Sequence, residues 1–429
     1  MKIMVIGAGI GGLATALSLH AAGIEAEVFE SIADLRPIGL GINLQPNAVR
    51  ELIELGLGDA LADCGIATST LAYYNRHGQR IWAEPRGLAA GYHWPQYAIH
   101  RGELQRLLLD AVMQRIGAGR VHRGHHLVSF EQTMQGVTAS FIDRATGTPL
   151  GQATADAMVG ADGIHSVVRH AFHPEEGAPV FSGRIMWRGA VAAAPFLDGR
   201  TQVMIGHREQ RTVIYPISTK HAPAGQQLIN WLTILGGQQL AQQQESWDSV
   251  VKKERFFAPF SNWNFDWIRP ADMVTQTQDI YEYPKCDREP LDGWTVGRVT
   301  LLGDAAHPMR PVGSQAGTQA VIDARVLAQS LATTGDAAAG LKLYDEIRRP
   351  VMNEIVLRNR DYGPEIVMQM AEDRAPNGFQ NIEDVIPHAE LQDIASAFKK
   401  AAGFDADTLN ARPSLNVSAR HESAAHRLT

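Results

Sequence analysis

The pattern of hydrophobic positions at the start of the chain changes abruptly from a short apolar run to a helical one. Ile3–Ile6, led by Lys2, form a continuous apolar run, and Leu13–Ala21 has the spacing of a helix. A short apolar run bounded by glycines is typical of a buried strand. The pattern therefore predicts a strand, a tight turn over 7–12 and a helix, followed by a second strand over Ala26–Phe29.

The same reasoning predicts further helices and a β-rich middle section. Helices are predicted over Asn47–Leu55, Glu103–Met113, Thr318–Leu331 and Ala337–Arg360, the last bent at Pro350. Strands are predicted over Leu71–Tyr74, Arg80–Ala83, Ile185–Val191, Thr201–Ile205, Thr212–Ile217, Leu228–Ile234 and Arg298–Leu302. The polar composition after Ala375 predicts a tail that is partly helical around Ala389–Ala402 and loose beyond it.

A glycine-rich turn joins the first strand to the first helix. Gly7 allows the sharp turn, Gly9 lets the backbone approach a phosphate, and Gly12 permits close packing of helix on strand. The N-terminus of that helix attracts negative charge. Glu30 ends the second strand at the distance expected of an acid that accepts hydrogen bonds from a ribose, which disfavours a 2′-phosphate. These residues predict a dinucleotide site.

A second motif, Gly303–His307, follows the strand predicted at Arg298–Leu302. The two motifs are nearly the length of the chain apart, and together they bracket a site of dinucleotide size. This combination points to FAD rather than NAD as the resident nucleotide.

Composition and charge exclude several other classes of protein. The 429-residue chain has 45% hydrophobic residues and a formal net charge of -7, which disfavours a nucleic acid or an anionic membrane as a partner. No apolar stretch approaches the length of a membrane span, and the predicted first strand leaves no room for a signal peptide. Cys64 and Cys286 are too few and too far apart for a disulfide framework. We therefore expect a cytoplasmic protein.

Three motifs together resemble the fingerprints of the group A flavoprotein aromatic hydroxylases, the family that resembles p-hydroxybenzoate hydroxylase. They are Gly7–Gly12 with Glu30, Gly160–Gly163 followed by Ser166 and Arg169, and Gly303–His307 followed by Pro311, Gly313 and Asp323. The resemblance covers roughly residues 1–370. Within the family, the runs Arg36–Pro46, Met186–Gly189 and Tyr215–Ser218 are most similar to members that oxygenate phenazine carboxylates.

The resemblance implies an α/β fold. We expect a Rossmann-like FAD-binding domain of the glutathione reductase type over 1–72, 98–180 and 285–336, with an inserted β-sheet domain for substrate over 73–97 and 181–284. A C-terminal helix is expected over 337–374 and a polar tail over 375–429.

The resemblance also implies which residues hold FAD. Asp304 is expected to bind the ribityl chain, Arg101 the phosphate or ribityl region, and the backbone of Leu127 the adenine. The backbone N–H groups of Gly317 and Thr318 are expected to face the pyrimidine side of the flavin ring. The full predicted set is Gly7, Gly9, Ile10, Gly11, Gly12, Glu30, Ser31, Gly41, Asn43, Arg101, Leu127, Asp162, Asp304, Gly317 and Thr318.

Members of the family are monooxygenases. The resemblance therefore implies that the chain consumes NADH or NADPH and inserts one oxygen atom of O2 into an aromatic or heteroaromatic small molecule, via a flavin hydroperoxide. For catalysis and substrate binding, we expect Arg188 to recognise a charged or polar group, Tyr215 to form an aromatic wall or a hydrogen bond, and Pro311 to lie at the ring face where oxygen reacts. Trp187 and Trp231 alternate with Arg188 and Tyr215 along the predicted strands, so some of these side chains must face the flavin cavity while others pack in the core. The choice of nicotinamide and the formation of a homodimer stay open.

Other interpretations also stay open at this point. An FAD-dependent dehydrogenase or reductase without oxygen insertion would carry the same motifs, and so would a non-catalytic flavin-binding module. His307 invites a general-base role, but packing near the cofactor explains it more simply. The cluster His122–His126 has no neighbouring carboxylate or cysteine side chains of the kind that complete a metal site. It is therefore interpreted as a solvated turn, and no metal is predicted.

Overall fold

The structure is a computed structural model, and it describes residues 1–35, 40–236, 249–361, 363–401 and 405–417. The strands in these ranges are β1 (Lys2–Ile6), β2 (Glu25–Glu30), β3 (Gly41–Leu44), β4 (Gly65–Ala67), β5 (Thr70–Tyr74), β6 (Arg80–Pro85), β7 (Tyr97–His100), β8 (Val121–Arg123), β9 (His125–Gln132), β10 (Val137–Asp143), β11 (Pro149–Ala155), β12 (Ala157–Gly160), β13 (Val180–Ala193), β14 (Thr201–Gly206), β15 (Gln210–Ser218), β16 (Gln227–Gly236), β17 (Ser249–Val250), β18 (Tyr281–Asp287), β19 (Thr295–Val296) and β20 (Val299–Leu301). The helices are α1 (Ile10–Ala21), α2 (Pro46–Glu54), α3 (Gly58–Cys64), α4 (Arg101–Arg115), α5 (Val167–Phe172), α6 (Pro270–Gln276), α7 (Ala316–Thr334), α8 (Ala337–Arg360), α9 (Ile366–Arg374), α10 (His388–Ala401) and α11 (Ala406–Ala411).

A largely parallel sheet carries both glycine motifs. Its strand order is β19-β20-β12-β1-β2-β8, and β1 pairs in parallel with both β2 and β12. Helix α1 packs against α7 and α4. The run Ile3–Ile6 is buried at the centre of this sheet, which explains why it is continuously apolar instead of alternating. The strand, turn and helix predicted at the start of the chain are confirmed.

The β-rich middle section forms a separate sheet of eight strands in the order β17-β18-β13-β16-β15-β14-β5-β6. Its two faces bury different side chains: Trp187 and Trp231 lie in the core of one face, and Val213 and Tyr215 in the core of the other. The predicted strands and the hairpin of β5 with β6 are confirmed. The predicted domain boundaries at 72/73 and 284/285 each fall inside a strand of this sheet, β5 and β18.

The two smaller sheets have the orders β11-β10-β9 and β3-β7-β4. The second lies where the two large sheets meet, because Gly41 of β3 donates its N–H to Asn230 Oδ1 of β16 at 2.7 Å. Strand β3 is thereby fixed between the glycine turns and the eight-stranded sheet.

The C-terminal region differs from the prediction in two respects. The helix predicted over Ala337–Arg360 is confirmed as α8, which contains Pro350. The wider segment expected as one C-terminal helix over 337–374 also holds a second helix, α9, after a short turn at Gly363–Glu365. The tail was predicted to be loose after Ala402, but α11 forms there and its Leu409 is buried. The sequence pattern failed here because so short a helix is not stable by itself, and the packing against the rest of the protein that stabilises it is not visible in the local sequence. No helix in the described part of the chain is both long and apolar enough to cross a membrane.

Candidate flavin and substrate site

Two adjoining cavities open at the carboxyl ends of the parallel strands, where ligands bind in open α/β sheets. The larger has a volume of about 720 Å³ and follows the turn after β1, and the smaller, of about 400 Å³, extends towards the eight-stranded sheet. Residues lining both are Gly9, Arg101, Ala161, Gly163 and Asp304. The shared residues make the two cavities one continuous site.

The three glycines of the turn after β1 have different structural roles, as their positions in the sequence predict. Gly7 has a φ of +105°, and a Cβ there would lie 2.4 Å from the Ala161 carbonyl oxygen. A Cβ on Gly12 would lie 2.0 Å from the Gly7 carbonyl oxygen, so Gly12 serves helix packing and lines neither cavity. A Cβ on Gly9 would meet nothing within 4 Å, because Gly9 faces the cavity. Ile10 and Gly11, at the start of α1, line the smaller cavity.

Glu30 stabilises the glycine turn after β1 and the start of the segment after β2 by accepting hydrogen bonds from both. One carboxylate oxygen accepts the Ala8 N–H at 2.7 Å, and the other accepts the Ile32 N–H at 2.7 Å and the Ser31 hydroxyl at 3.1 Å. Both Glu30 and Ser31 line the larger cavity, together with Leu127. A carboxylate has about four acceptor positions, so Glu30 retains capacity for a ribose hydroxyl.

The histidine cluster 122–126 is not a solvated turn, and that interpretation was wrong. It forms β8 and the start of β9, and the His122 ring stacks on Phe29 with 4.5 Å between centroids. Burial lowers the pKa of His122. His125 and His126 line the larger cavity, which the local sequence did not reveal because the contact depends on β9 passing beside β2.

Asp162 carries an acceptor without a protein partner. Its Oδ2 accepts the Val167 N–H at 2.8 Å at the start of α5, while its Oδ1 is buried and accepts no hydrogen bond from the described residues. Burial raises the pKa of Asp162. Buried acceptors in proteins are rarely left without a donor, so this oxygen indicates a ligand or water at the cavity wall.

Asp304 faces the cavity from the turn after β20, where Gly303 has a φ of +61°. The Asp304 side chain is exposed to the cavity, but the protein around the cavity partly removes water from its carboxyl group and raises its pKa, and the charges of His307 and Arg101 oppose that rise. Arg101, the first residue of α4, has no carboxylate partner among the described residues. A short acceptor beside a guanidinium suits a polyhydroxyl chain that leads to a phosphate.

A buried network behind this turn fixes its conformation. His307 Nε2 lies 2.6 Å from Asp323 Oδ2, and Arg348 donates to Asp323 Oδ1 at 2.7 Å. Burial acts to raise the pKa of Asp323, but His307 and Arg348 outweigh it and the pKa is lowered. Arg169 donates to the carbonyl oxygens of the same turn. His307 lines neither cavity, so it supports the turn and does not face a substrate.

The segment 311–317 forms one wall of the smaller cavity, with Pro311 and Gly317 lining it. Among the described residues, no backbone carbonyl accepts the N–H groups of Gly317 and Thr318. Thr318 itself is fully buried and lines neither cavity: its hydroxyl accepts from the Gln45 N–H at 3.2 Å and donates to the Ser314 carbonyl at 3.1 Å. The Thr318 side chain is therefore engaged within the protein, and the residue exposes no surface to either cavity.

The eight-stranded sheet provides the floor of the smaller cavity. Arg188 and Tyr215 line it, and the Arg188 guanidinium donates to the Gly41 carbonyl at 2.7 Å and hydrogen-bonds to the Tyr215 hydroxyl. Burial raises the pKa of Tyr215. Trp187 and Trp231 point into the opposite face, where each indole N–H has its own side-chain acceptor. The alternation predicted from the sequence thus resolves into two cavity residues and two core residues.

Sequence reasoning missed several residues of this floor. They are Met186, Gln202, Met204, Arg211, Val213, Leu232, Ile234 and Glu365. All but Glu365 lie at alternate positions of the same strands as Arg188 or Tyr215 or of a strand paired with these, so the period of two could have found them. Gly41 and Asn43 of β3 line the same cavity, and Asn43 Oδ1 is buried and accepts no hydrogen bond from the described residues.

These features fit FAD. Gly9 and the N-terminus of α1 offer an open approach for a pyrophosphate, and Asp304 offers an acceptor for hydroxyl groups. The unused N–H group of Gly317 and the unused oxygens of Asn43 and Asp162 match a ligand rich in donors and acceptors. In the described ranges no group of three or more His, Cys, Asp or Glu side chains could hold a metal ion.

The fold and site are those of an FAD-binding protein, and comparison with known proteins shows to which family it belongs. The family model described as FAD binding domain matches residues 1–359, and the chain belongs to this family. It is 46% identical over 364 residues, 84% of this chain and 89% of the other, to the phenazine 1,6-dicarboxylic acid hydroxylase PhzS of Lysobacter antibioticus. It is 34% identical to the 3-amino-4-hydroxybenzoate 2-monooxygenase PtnB3 of Streptomyces platensis, with 96% and 98% of the chains covered.

Solved structures show the same fold. HpxO from Klebsiella pneumoniae, complexed with FAD and uric acid, matches with a TM-score of 0.71 and 25% identity over 95% of this chain and 96% of its own. The chain is thus an FAD-dependent aromatic hydroxylase, and NADH or NADPH is the reductant typical of such enzymes. The resemblance on which the sequence prediction was based is confirmed, in preference to the dehydrogenase and the non-catalytic module.

Proposed function

We propose that this enzyme inserts one oxygen atom of O2 into a flat heteroaromatic acid of the phenazine carboxylate class. The observation that carries the proposal is Arg188. It is a guanidinium on the cavity floor that pairs with no carboxylate among the described residues, and its Nε is buried without an acceptor among them. Arg211, the other arginine of this floor, is paired with Glu365. Arg188 is half-buried and has no counter-charge among the described residues, and a substrate carboxylate would supply one.

The similarity to a phenazine dicarboxylic acid hydroxylase supports this substrate class. Met186, Val213, Leu232 and Ile234 provide an apolar surface on which fused aromatic rings can lie. The cavity volume of about 400 Å³ lies in the range of small-molecule sites.

The bound FAD supplies the redox chemistry of oxygen activation and transfer. We propose that Gly9 and Arg101 hold its pyrophosphate, Asp304 its ribityl chain, and the N–H group of Gly317 its ring, where negative charge grows on reduction. A ring contact of the Thr318 N–H would need a small movement of the start of α7, because Thr318 is fully buried. Glu30 and Leu127 would hold the adenosine end.

The residues of the substrate floor orient the acceptor of the oxygen atom. Arg188 holds the acid group, Tyr215 holds Arg188 in place, and Pro311 closes the opposite side. Holding the ring beside the flavin and excluding water are the contributions that the protein itself must make.

Turnover tests the proposal directly. The purified enzyme with FAD should oxidise NADH or NADPH faster when phenazine-1-carboxylate is added, with matching O2 uptake and a hydroxylated product. Benzoate, which has the acid group but one ring, serves as the control and should stimulate less. Unstimulated oxidation with every phenazine acid would contradict the proposed substrate class.

Two further expectations belong to this proposal: O2 is the co-substrate, and the cytoplasm is the location. Whether the enzyme forms a homodimer is a separate question for measurement. The O2 uptake measured during turnover tests the first of these. Analytical ultracentrifugation of the FAD-loaded enzyme would settle the oligomeric state.

A further inference from the structure

The floor of the smaller cavity carries a second arginine, at the corner diagonally opposite Arg188. Arg188 of β13 stands opposite Leu232 of β16, and Arg211 of β15 stands opposite Ile234 two residues further along β16. Two strand spacings and two residues of rise separate the two Cα atoms by roughly 12 Å. Leu232 and Ile234 lie between them, so an aromatic ligand on this floor has a guanidinium at each end.

The two arginines differ in their charge partners. Arg211 forms a buried ion pair with Glu365, whose side chain also lines the cavity. Glu365 comes from the turn between α8 and α9 and not from the sheet. Within the described ranges, the partners of Arg188 are a carbonyl and a hydroxyl, and none is a carboxylate. The corner at Arg188 is therefore cationic, and the corner at Arg211 is neutral as a pair.

Other charges near Arg211 do not upset this balance. Arg184 pairs with Glu209. Arg310 shares Asp287 with Arg360, which also pairs with Glu289, so these two guanidinium groups face two carboxylates. Burial lowers the pKa of Lys285 to about 7, which leaves this amine largely neutral at about pH 8.

We propose that Glu365 makes the cavity selective for an aromatic acid with a single carboxylate. This inference rests on the proposed function and deepens it. The carboxylate of a monoacid binds at Arg188, and the opposite edge of the aromatic ring system contacts the neutral ion pair of Arg211 with Glu365. A diacid with its second carboxylate at the far edge would bury that charge beside an ion pair that has no net positive charge to compensate the loss of water.

Binding measurements on the FAD-loaded enzyme at about pH 8 test this selectivity. The change in flavin absorbance gives Kd for phenazine-1-carboxylate and for phenazine-1,6-dicarboxylate. We expect the wild type to bind the monoacid at least about tenfold more tightly, and Glu365→Gln to shift the ratio towards the diacid by about tenfold or more. Equal Kd values in the wild type, or a ratio that Glu365→Gln leaves unchanged, would overturn the proposal.

Two variants separate charge from other effects. Glu282→Gln removes a buried carboxylate from the opposite face of the same sheet, where Glu282 accepts from Trp187 and Arg255, and should leave the ratio as in the wild type. The double variant Arg211→Gln with Glu365→Gln again has a neutral corner, so its ratio should return towards that of the wild type. If the ratio stayed at the value of the single variant, charge would not be the cause.

A second pair of probes distinguishes this inference from the proposed function. Naphthalene-1-carboxylate and naphthalene-1,5-dicarboxylate report the charge of the cavity without a phenazine ring. If only the naphthalene pair binds and shows the shift, the phenazine proposal fails and the role of Glu365 stands. If the phenazine acids bind with an unchanged ratio, the role of Glu365 fails alone; if neither pair binds the wild type, both proposals fail.

Discussion

At the scale of single residues, the clearest consequence concerns Arg188. The substitution Arg188→Met removes the proposed charged hydrogen bond to the substrate carboxylate, which is worth about 1.5–3 kcal/mol. The Kd of phenazine-1-carboxylate should therefore rise roughly 10- to 100-fold. Titration followed by flavin absorbance measures this. Arg184→Met is the matched control, because Arg184 lies on the same strand but pairs with Glu209 away from the cavity. An unchanged Kd in Arg188→Met with full FAD content would contradict the assignment.

Lys285 gives a second prediction at this scale. Burial, together with Arg211, lowers the pKa of this amine from 10.5 to about 7, and Glu365 only partly opposes the change. The unfolded chain therefore binds more protons between about pH 7 and pH 10.5, and stability gains with rising pH across that window. Lys285→Met should raise the free energy of unfolding most at pH 7 and below, and least near pH 10.5. A gain that does not vary with pH, measured by denaturant unfolding, would show that Lys285 is not buried as a neutral amine.

At the scale of elements, the turn between β1 and α1 separates folding from cofactor binding. Gly9→Ala adds a methyl group where nothing lies within 4 Å, so the chain should fold with a near-normal Tm but lose FAD. Gly12→Ala places the same group 2.0 Å from the Gly7 carbonyl oxygen and should impair folding itself. Gly119→Ala, also without a neighbour within 4 Å but outside both cavities, is the control. Flavin content and circular dichroism distinguish the outcomes; full FAD retention in Gly9→Ala would contradict the proposed site.

The same turn shows why much of this fold is predictable from sequence. Gly7, Gly9 and Gly12 act through the backbone within one strand and one helix, so their spacing is sufficient to place them. The alternation around Arg188 and Tyr215 indicated a mixed set of cavity and core residues, but not which face was which. That depends on the packing of the eight-stranded sheet against β3, which no local pattern encodes.

Glu365 marks the limit of such prediction. It meets Arg211 across 154 residues of sequence, from a turn between two helices, and neither residue stands in a recognisable motif. The docking of α11 was missed for the same reason, since its stability comes from distant partners. Long-range ion pairs of this kind become visible only when the fold is known.

At the scale of the whole molecule, the C-terminal segment is held against the FAD-binding region by buried charge. Arg412 and Arg325 both pair with Glu51, which is fully buried, and burial raises the pKa of Glu51. Arg412→Ala should lower stability by roughly 2 kcal/mol, less than the loss of a whole buried pair because Arg325 remains. Arg358→Ala, which breaks an exposed pair with Glu354, should cost at most about 0.5 kcal/mol. Equal losses in thermal unfolding would show that the docking contact is not buried.

The central claim is that the FAD-loaded enzyme transfers oxygen from O2 to an aromatic acid. A reaction of phenazine-1-carboxylate with NADH or NADPH under ¹⁸O2, followed by mass spectrometry of the product, tests this claim most directly. We predict a product that carries one ¹⁸O atom, formed in proportion to the nicotinamide consumed. A product without ¹⁸O, or nicotinamide oxidation that yields only hydrogen peroxide with every aromatic acid tried, would contradict the account.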